Sequence, residues 1–246
     1  MQSKKQRDKS RIQPVENAII MAAGLSSRFV PISYEYPKAL ITVKGEVLIE
    51  RQIRQLQEAG ILDITVVTGY KKELFQYLAE QFQVTLINNP DYASRNNHSS
   101  LYHARNKLKN TYICSADNYF SENVFEIPSP KAYYSSVYHQ GKTDEWCLQT
   151  NSNGLITNVT VGGKDCWVMM GHVFFSETVS KAIKPILEDV YHREETADLL
   201  WEAVYLEHIK ELPLFIRKYP DGIIFEFDSL AELRTFDKKY REETGS

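Results

Sequence analysis

Arg28 and Lys38 follow a run of small residues, Ala22-Ala23-Gly24-Leu25-Ser26-Ser27, that itself succeeds the apolar stretch Ala18-Ile19-Ile20-Met21. An apolar strand that breaks into small residues exposes backbone N–H groups, which can cradle phosphates while a nucleotide approaches closely. Arg28 and Lys38 supply the cationic charge that a phosphate chain needs in a transition state and on the way to it. Ala22, Ala23, Gly24 and Arg28 are therefore candidate nucleotide contacts, with Arg28 and Lys38 the candidate catalytic pair. The pattern is neither the GxGxxG dinucleotide fingerprint nor the Walker loop ending in Gly-Lys-Ser/Thr.

Two acids stand at comparable places. Asp117 ends the strand-like run Tyr112-Ile113-Cys114-Ser115, and Asp228 closes Phe225-Glu226-Phe227. Mg²⁺ prefers hard oxygens and is commonly held by one or two carboxylates plus substrate phosphates, so both are candidate metal ligands. Either could instead cap a helix, Asp117 one over residues 118–125 and Asp228 the last one in the chain. Within the polar loop 88–100, Asn97 and Ser100 could meet a base edge, ribose or phosphate. Asn97 or Ser99 could equally be an ordinary helix cap.

Asp144-Glu145-Trp146 places acids beside an aromatic face, half of a pocket for a quaternary ammonium. Asp198 and Trp201, three apart on a predicted helix, would share one face and add to it, and Glu226 lies two residues before Asp228. The bland alternative makes Trp146 and Trp201 core residues and leaves the acids solvated. His172, inside the apolar run 169–175, reads as a core histidine. No Ser-His-Asp or Cys-His arrangement suggests nucleophilic catalysis.

These residues need elements to hold them. Residues 17–21, 64–68, 84–87 and 112–115 are strand-like, and helical spacing appears over 47–59, 72–81 and 98–108. Leu48, Ile49, Ile53 and Leu56 share one side of the first of these helices, and Gly60 stops it. Strands separated by helices imply crossover connections and a mainly parallel sheet with helices on both faces. Ligands in such sheets sit beyond the carboxyl ends of the strands, where the loop 22–28 and Asp117 both fall. The second half changes character. Strand-like runs at 133–138, 146–150, 156–161 and 167–175 precede helices near 180–191 and 197–208, a strand pair near 215–217 and 223–227, and a helix over 230–240. The expectation is an α/β, Rossmann-like, three-layer α/β/α fold with a mixed sheet and a β-rich, lid-like insertion for the second substrate.

The chain of 246 residues is 43% hydrophobic, enough for one large core. Residues 1–15, with Lys4, Lys5, Arg7, Lys9 and Arg11, read as a basic leader without stable structure or the remnant of a longer fused chain. Residues 16–246 read as a single domain, its nucleotide half about 17–125 and its acceptor half about 126–246. A net charge of −3 gives no global nucleic-acid or membrane footprint. Three widely spaced cysteines, without a CxxC pair, argue against a disulfide framework and a zinc site and fit a reducing cytoplasm. No apolar run approaches membrane-spanning length.

The opening motif resembles the signature of nucleotidyltransferases that activate sugar and alcohol phosphates, in which AAG-x-x-[ST]-R-x-x-P leads to P-K. Over roughly residues 17–240, the chain looks like the bacterial CTP:phosphocholine cytidylyltransferases. The likeness rests on AIIMAAGLSSRFVP, YPKAL, LIERQI, VVTGY, RNNHSSLY, SADNYF, TDEWCL, ADLLWE and FEFDSL, in that order. That resemblance implies in-line attack of an acceptor phosphate on the α-phosphorus of CTP, assisted by Mg²⁺. Ala22, Ala23 and Gly24 would hold the cytidine, Arg28 the triphosphate, and Asn97 with Ser100 would help fix the nucleotide. Lys38 would meet the acceptor phosphate or the α-phosphate, and Asp117 with Asp228 the metal. Glu145, Trp146, Asp198 and Glu226 would surround the choline cation. Leu200 stands where the resemblance implies an aromatic. A choline kinase would be a fitting pathway or fusion partner. Rival readings are another acceptor (2-aminoethylphosphonate, phosphoethanolamine or a sugar 1-phosphate) or a non-catalytic nucleotide-sensing domain.

Overall fold

The computed structural model describes residues 14–125 and 131–240, so the basic leader lies outside the described residues except for its last two positions. Strand β1 (Asn17–Ala22) is buried along nearly its whole length, as an apolar run in a parallel sheet must be. Its side chains divide by parity. Ala18, Ile20 and Ala22 join one apolar cluster, while Ile19 and Met21 join the other. A short ladder of β2 (Thr42–Val43) and β3 (Glu46–Val47) leads into α1 (Leu48–Glu58), whose buried stripe includes Leu48, Ile49, Ile53 and Leu56.

Next come β4 (Ile64–Thr68), α2 (Gln76–Phe82), β5 (Thr85–Asn88), α3 (His98–His103) and β6 (Thr111–Ser115). The expected helix over 72–81 begins as a 3-10 turn, and the one over 98–108 ends as one. A three-residue strand β7 (Asn118–Phe120) follows. Two long strands then run as one hairpin, β8 (Tyr133–Thr150) and β9 (Ile156–Phe175). Helices α4 (Glu177–His192) and α5 (Trp201–Glu207), strands β10 (Phe215–Tyr219) and β11 (Ile224–Glu226), and helix α6 (Leu230–Phe236) complete the chain.

The main sheet runs β10-β8-β9-β6-β1-β4-β5. It is parallel at β1/β4, β1/β6, β4/β5 and β8/β10, and antiparallel at β6/β9 and β8/β9. Helices α1 and α2 cover one face, and α3, α4 and α5 the other, giving the three-layer α/β/α architecture.

Several expectations change. The four strand-like runs of the second half are two continuous strands, whose bases pair within the sheet and whose tip returns to it through the Leu155–Phe215 bridge. The final strands do not pair with each other: β10 joins β8, and β11 pairs antiparallel with β7. Residues 118–120 are strand, so Asp117 caps no helix there. Helix α5 begins at Trp201, so Asp198 lies in the preceding turn and shares no helical face with that residue. Cys147 and Cys166 form a disulfide within the hairpin, against the expectation from cysteine number. That bridge presses toward Gly163, where a Cβ would overlap the Cys147 sulfur. Cys114 is free and buried. His172 is fully buried, its Nε2 2.9 Å from the Tyr133 hydroxyl. No helix among the described residues is long and apolar enough to cross a membrane.

Candidate active site

A cleft of about 630 Å³ opens beyond the carboxyl ends of β1 and β6, floored by Ala22–Gly24 and walled by Arg28, Lys38 and Asp117. This is the position in which open α/β sheets bind ligands. The Ala116 N–H donates to Met21 O at 3.1 Å and the Tyr70 N–H to Ala23 O at 3.0 Å, so neighbouring loops brace the floor. Gly24 is required neither by its backbone nor by packing, because a Cβ there would meet nothing within 4 Å. The space it leaves belongs to the cleft. Gly69 differs. A Cβ at Gly69 would stand 2.7 Å from Tyr92 Cβ and 2.8 Å from Ala23 O, so close packing behind the floor demands glycine.

Arg28 and Lys38 are drawn to one place by an apolar anchor and a turn. Phe29 is buried with Ile41, Val43 and Leu48 against Phe227, Leu230 and Leu233, which seats the loop on α6 and the end of β11. Ser26 takes left-handed dihedrals (φ 55°, ψ 38°), and its Oγ accepts the Lys38 N–H at 3.2 Å. Helix α6 is closed by a capping box between Ser229 and Glu232, which makes Ser229, not Asp228, its N-cap. The Asp228 carboxylate, not needed as a cap, turns instead to Arg28 and Lys38.

The β7/β11 ladder assembles the acids. Glu226 pairs with Asn118, one residue from Asp117, and Asp228 lies just beyond the ladder. Asp117, Glu226 and Asp228 can each offer an oxygen with all three atoms within 4.8 Å of one another. Burial, and then the charges of Asp117 and Asp228, hold the Glu226 carboxyl well above the usual range. The Lys38 ammonium sits among these acids, 2.8 Å from Asp117 Oδ2 and 3.8 Å from Asp228 Oδ1, and donates to Phe227 O. Arg28, largely in solvent, reaches Asp228 Oδ1 at 3.0 Å. Asp117 Oδ1 is buried without a hydrogen-bond partner. Three hard oxygen donors, one of them orphaned, fit a hard divalent cation such as Mg²⁺.

Sequence reading missed Gln52. It sits fully buried on the apolar stripe of α1, and its Nε2 donates to Ser115 O at 2.9 Å and Asn118 O at 2.8 Å. It thereby clamps the turn that carries Asp117. A polar residue interrupting an apolar helical face was the available signal.

The remaining candidates divide. Ser100 lines the cleft, and its Oγ accepts from Asn89 Nδ2 at 3.1 Å. Asn97 and Asp198 also reach the cleft wall. The Asn97 side chain is nevertheless occupied, its Oδ1 accepting the Trp201 N–H at 2.7 Å and its Nδ2 donating to Glu202 at 3.2 Å. Trp201 is core, stacked on Tyr134 with ring centroids 5.7 Å apart. Trp146 is half-buried against the same apolar cluster. Glu145 is exposed on β8. Partial burial, and then the charge of Asp228, raises its carboxyl above the usual range.

Known proteins share this arrangement of chain. Residues 18–125 match the family described as MobA-like NTP transferase domain. The chain is 35% identical over 226 residues to the choline-phosphate cytidylyltransferase of Streptococcus pneumoniae, covering 92% of this chain and 99% of that one. It is 39% identical over 228 residues to the 2-aminoethylphosphonate cytidylyltransferase of Lancefieldella rimae, covering 91% and 93% respectively. The solved structure of the CTP:phosphocholine cytidylyltransferase from Streptococcus pneumoniae superposes with a TM-score of 0.86, again over 92% and 99% of the two chains.

Proposed function

The chain belongs to the nucleotidyltransferase family that contains these cytidylyltransferases, and from that membership we propose that it transfers CMP from CTP to phosphocholine, releasing CDP-choline and pyrophosphate. The observation that carries this reading is the convergence of Arg28 and Lys38 with Asp117, Glu226 and Asp228 at one end of the cleft. Cations serve a polyphosphate, and grouped carboxylates serve the metal that accompanies it.

In the proposed reaction an acceptor phosphate oxygen attacks the α-phosphorus of CTP in line, and the bond from that phosphorus to the bridging oxygen of pyrophosphate breaks. A phosphate monoester is already anionic at neutral pH, so no strong general base is needed. Arg28 neutralises the triphosphate from the open side of the cleft. Lys38 stands at the same end, deeper among the acids, where its ammonium can turn from them to the reacting phosphates. Ala22–Gly24 present backbone to the nucleoside, and Ser100 lends a hydroxyl. Asp117 and Asp228, with Glu226 beside them, would hold Mg²⁺, which when bound neutralises phosphate charge and polarises the α-phosphoryl group. Catalysis is then positioning plus electrostatic stabilisation. CTP as substrate supports a reaction in the cytoplasm.

Incubation with Mg²⁺, CTP and phosphocholine should release pyrophosphate and yield CDP-choline. No turnover with phosphocholine alongside brisk turnover of another acceptor would move the assignment to that acceptor. One observation favours 2-aminoethylphosphonate as a second reading. Trp201 is lost to the core while Glu145, Glu202 and Glu226 remain on the acceptor side, and a primary ammonium is better served by carboxylate hydrogen bonds than by aromatic faces. Side-by-side kcat/KM values for the two acceptors decide between them.

A further inference from the structure

We infer that Glu202 is the residue that reads the positive charge of the acceptor, pairing with its ammonium group; this rests on the acceptor class of the proposed function. Glu202 lies in the first turn of α5. Its Oε2 accepts from Asn97 Nδ2 at 3.2 Å and its Oε1 from the Tyr134 hydroxyl at 3.4 Å. Asn97 is itself held by the Trp201 N–H, and the Tyr134 ring is stacked on Trp201, so both donors are fixed before any ligand arrives. The carboxylate is therefore preorganised by an element on each side, α3 and β8.

Both donors are neutral. Among the described residues no lysine, arginine or histidine pairs with Glu202, while Lys38 is engaged by Asp117, Asp228 and Phe227 O. A sheltered carboxylate without a counter-cation is costly, and a cation brought by substrate would relieve that cost. Burial pushes the Glu202 carboxyl up to about 7, with the charge of Asp117 adding to it, as such a deficit of positive charge requires.

Location supports the same ligand. Asn97, whose Nδ2 donates to Glu202, lines the cleft together with Ser100, Lys38 and Asp117, which puts Glu202 directly behind the wall of that cleft. An acceptor phosphate must reach that cleft, and in phosphocholine or aminoethylphosphonate the nitrogen is only two carbons from the phosphate or phosphonate group. The group that senses the nitrogen must then lie along the wall of the same cleft, where Asp198 stands exposed and Glu202 is held one hydrogen bond behind through Asn97.

The test is Glu202→Gln, assayed with phosphocholine and with 3,3-dimethylbutyl phosphate, in which carbon replaces the quaternary nitrogen. The wild-type enzyme should prefer phosphocholine, and E202Q should reduce that preference at least tenfold, by a rise in KM for phosphocholine that KM for CTP does not follow. An unchanged preference, or equal losses on both acceptors, overturns the inference and leaves Glu202 a strut between α3, β8 and α5. Because the readout is a ratio within one variant, a general loss of folded enzyme does not move it. Glu202→Asp keeps the charge and should retain most of the preference; its loss there would also overturn the inference. A wild-type enzyme that turns over neither acceptor, yet makes CDP products from another phosphate, refutes the function reading itself.

Discussion

Lys38 Nζ stands 2.8 Å from Asp117 Oδ2, an ion pair that joins the first cationic loop of the chain to the tip of its central strand β6. Neither partner is well exposed, at 13% and 21% of its side-chain surface, and the same ammonium also faces Asp228. A lysine so placed offsets the mutual repulsion of the acids while no metal or phosphate is bound. In the proposed reaction the same ammonium would turn to the reacting phosphates.

Replacing either cation should therefore damage turnover. We expect Lys38→Met and Arg28→Ala each to lower kcat by about 10²–10³-fold, the scale of a lost electrostatic donor in a transition state. Pyrophosphate release under saturating CTP and acceptor measures this. Arg28 is largely in solvent, so R28A should melt at nearly the wild-type temperature, and a near-normal rate in both variants would remove them from the mechanism.

The acidic trio predicts strict dependence on a divalent cation. Chelation should abolish activity and Mg²⁺ restore it, while Asp117→Asn and Asp228→Asn should raise the Mg²⁺ concentration giving half-maximal rate by at least about tenfold. Titration of Mn²⁺ binding by calorimetry gives an independent reading. Unaltered metal affinity in both variants would show that these carboxylates hold no ion.

Trp146 should distinguish the two candidate acceptors. A cation–π contact with a quaternary ammonium is worth about 0.5–2 kcal/mol, so Trp146→Ala should raise KM for phosphocholine about two- to thirtyfold. Aminoethylphosphonate should be affected less. Equal KM values for phosphocholine before and after the substitution would exclude Trp146 from the acceptor pocket.

His172 links stability to pH. Burial holds its imidazole down at about 3, against about 6.5 in an unfolded chain, so the native state keeps it neutral. As pH falls below about 6.5 the unfolded chain takes up a proton that the native state refuses, and stability is lost progressively toward pH 3. Between pH 7 and pH 5 this amounts to about 2 kcal/mol from this one group. Urea unfolding of His172→Leu should show a correspondingly shallower loss over that interval, and parallel curves for wild type and variant would refute the linkage.

Much of the first half of the chain was legible in sequence because its signals are local. The apolar runs of β1, β4 and β6 and the stripe of α1 follow from side-chain periodicity over a few residues, and the ends of β1 and β6 placed Arg28, Lys38 and Asp117 near one another. Signals failed where pairing partners are distant. Periodicity cannot show that β8 and β9 are two continuous strands, because twist and bulges interrupt the alternation at residues such as Lys142 and Trp146. Nor can it show that β10 joins β8 while β11 turns to β7.

By itself, then, the sequence determined the chemistry on offer: a small-residue loop after a buried strand, two cations, and acids at strand ends. Tertiary structure decided which of them act together. The β7/β11 register put Glu226 opposite Asn118 and so beside Asp117; the apolar cluster around Phe29 and Phe227 brought Arg28 and Lys38 to Asp228; and the start of α5 at Trp201 sent that ring to the core and left Glu202 bonded to Asn97 and Tyr134. The physical reason is range. Side-chain type and spacing encode local conformation, whereas the distance between charges from remote segments is set only when buried strands choose partners and apolar clusters close around them.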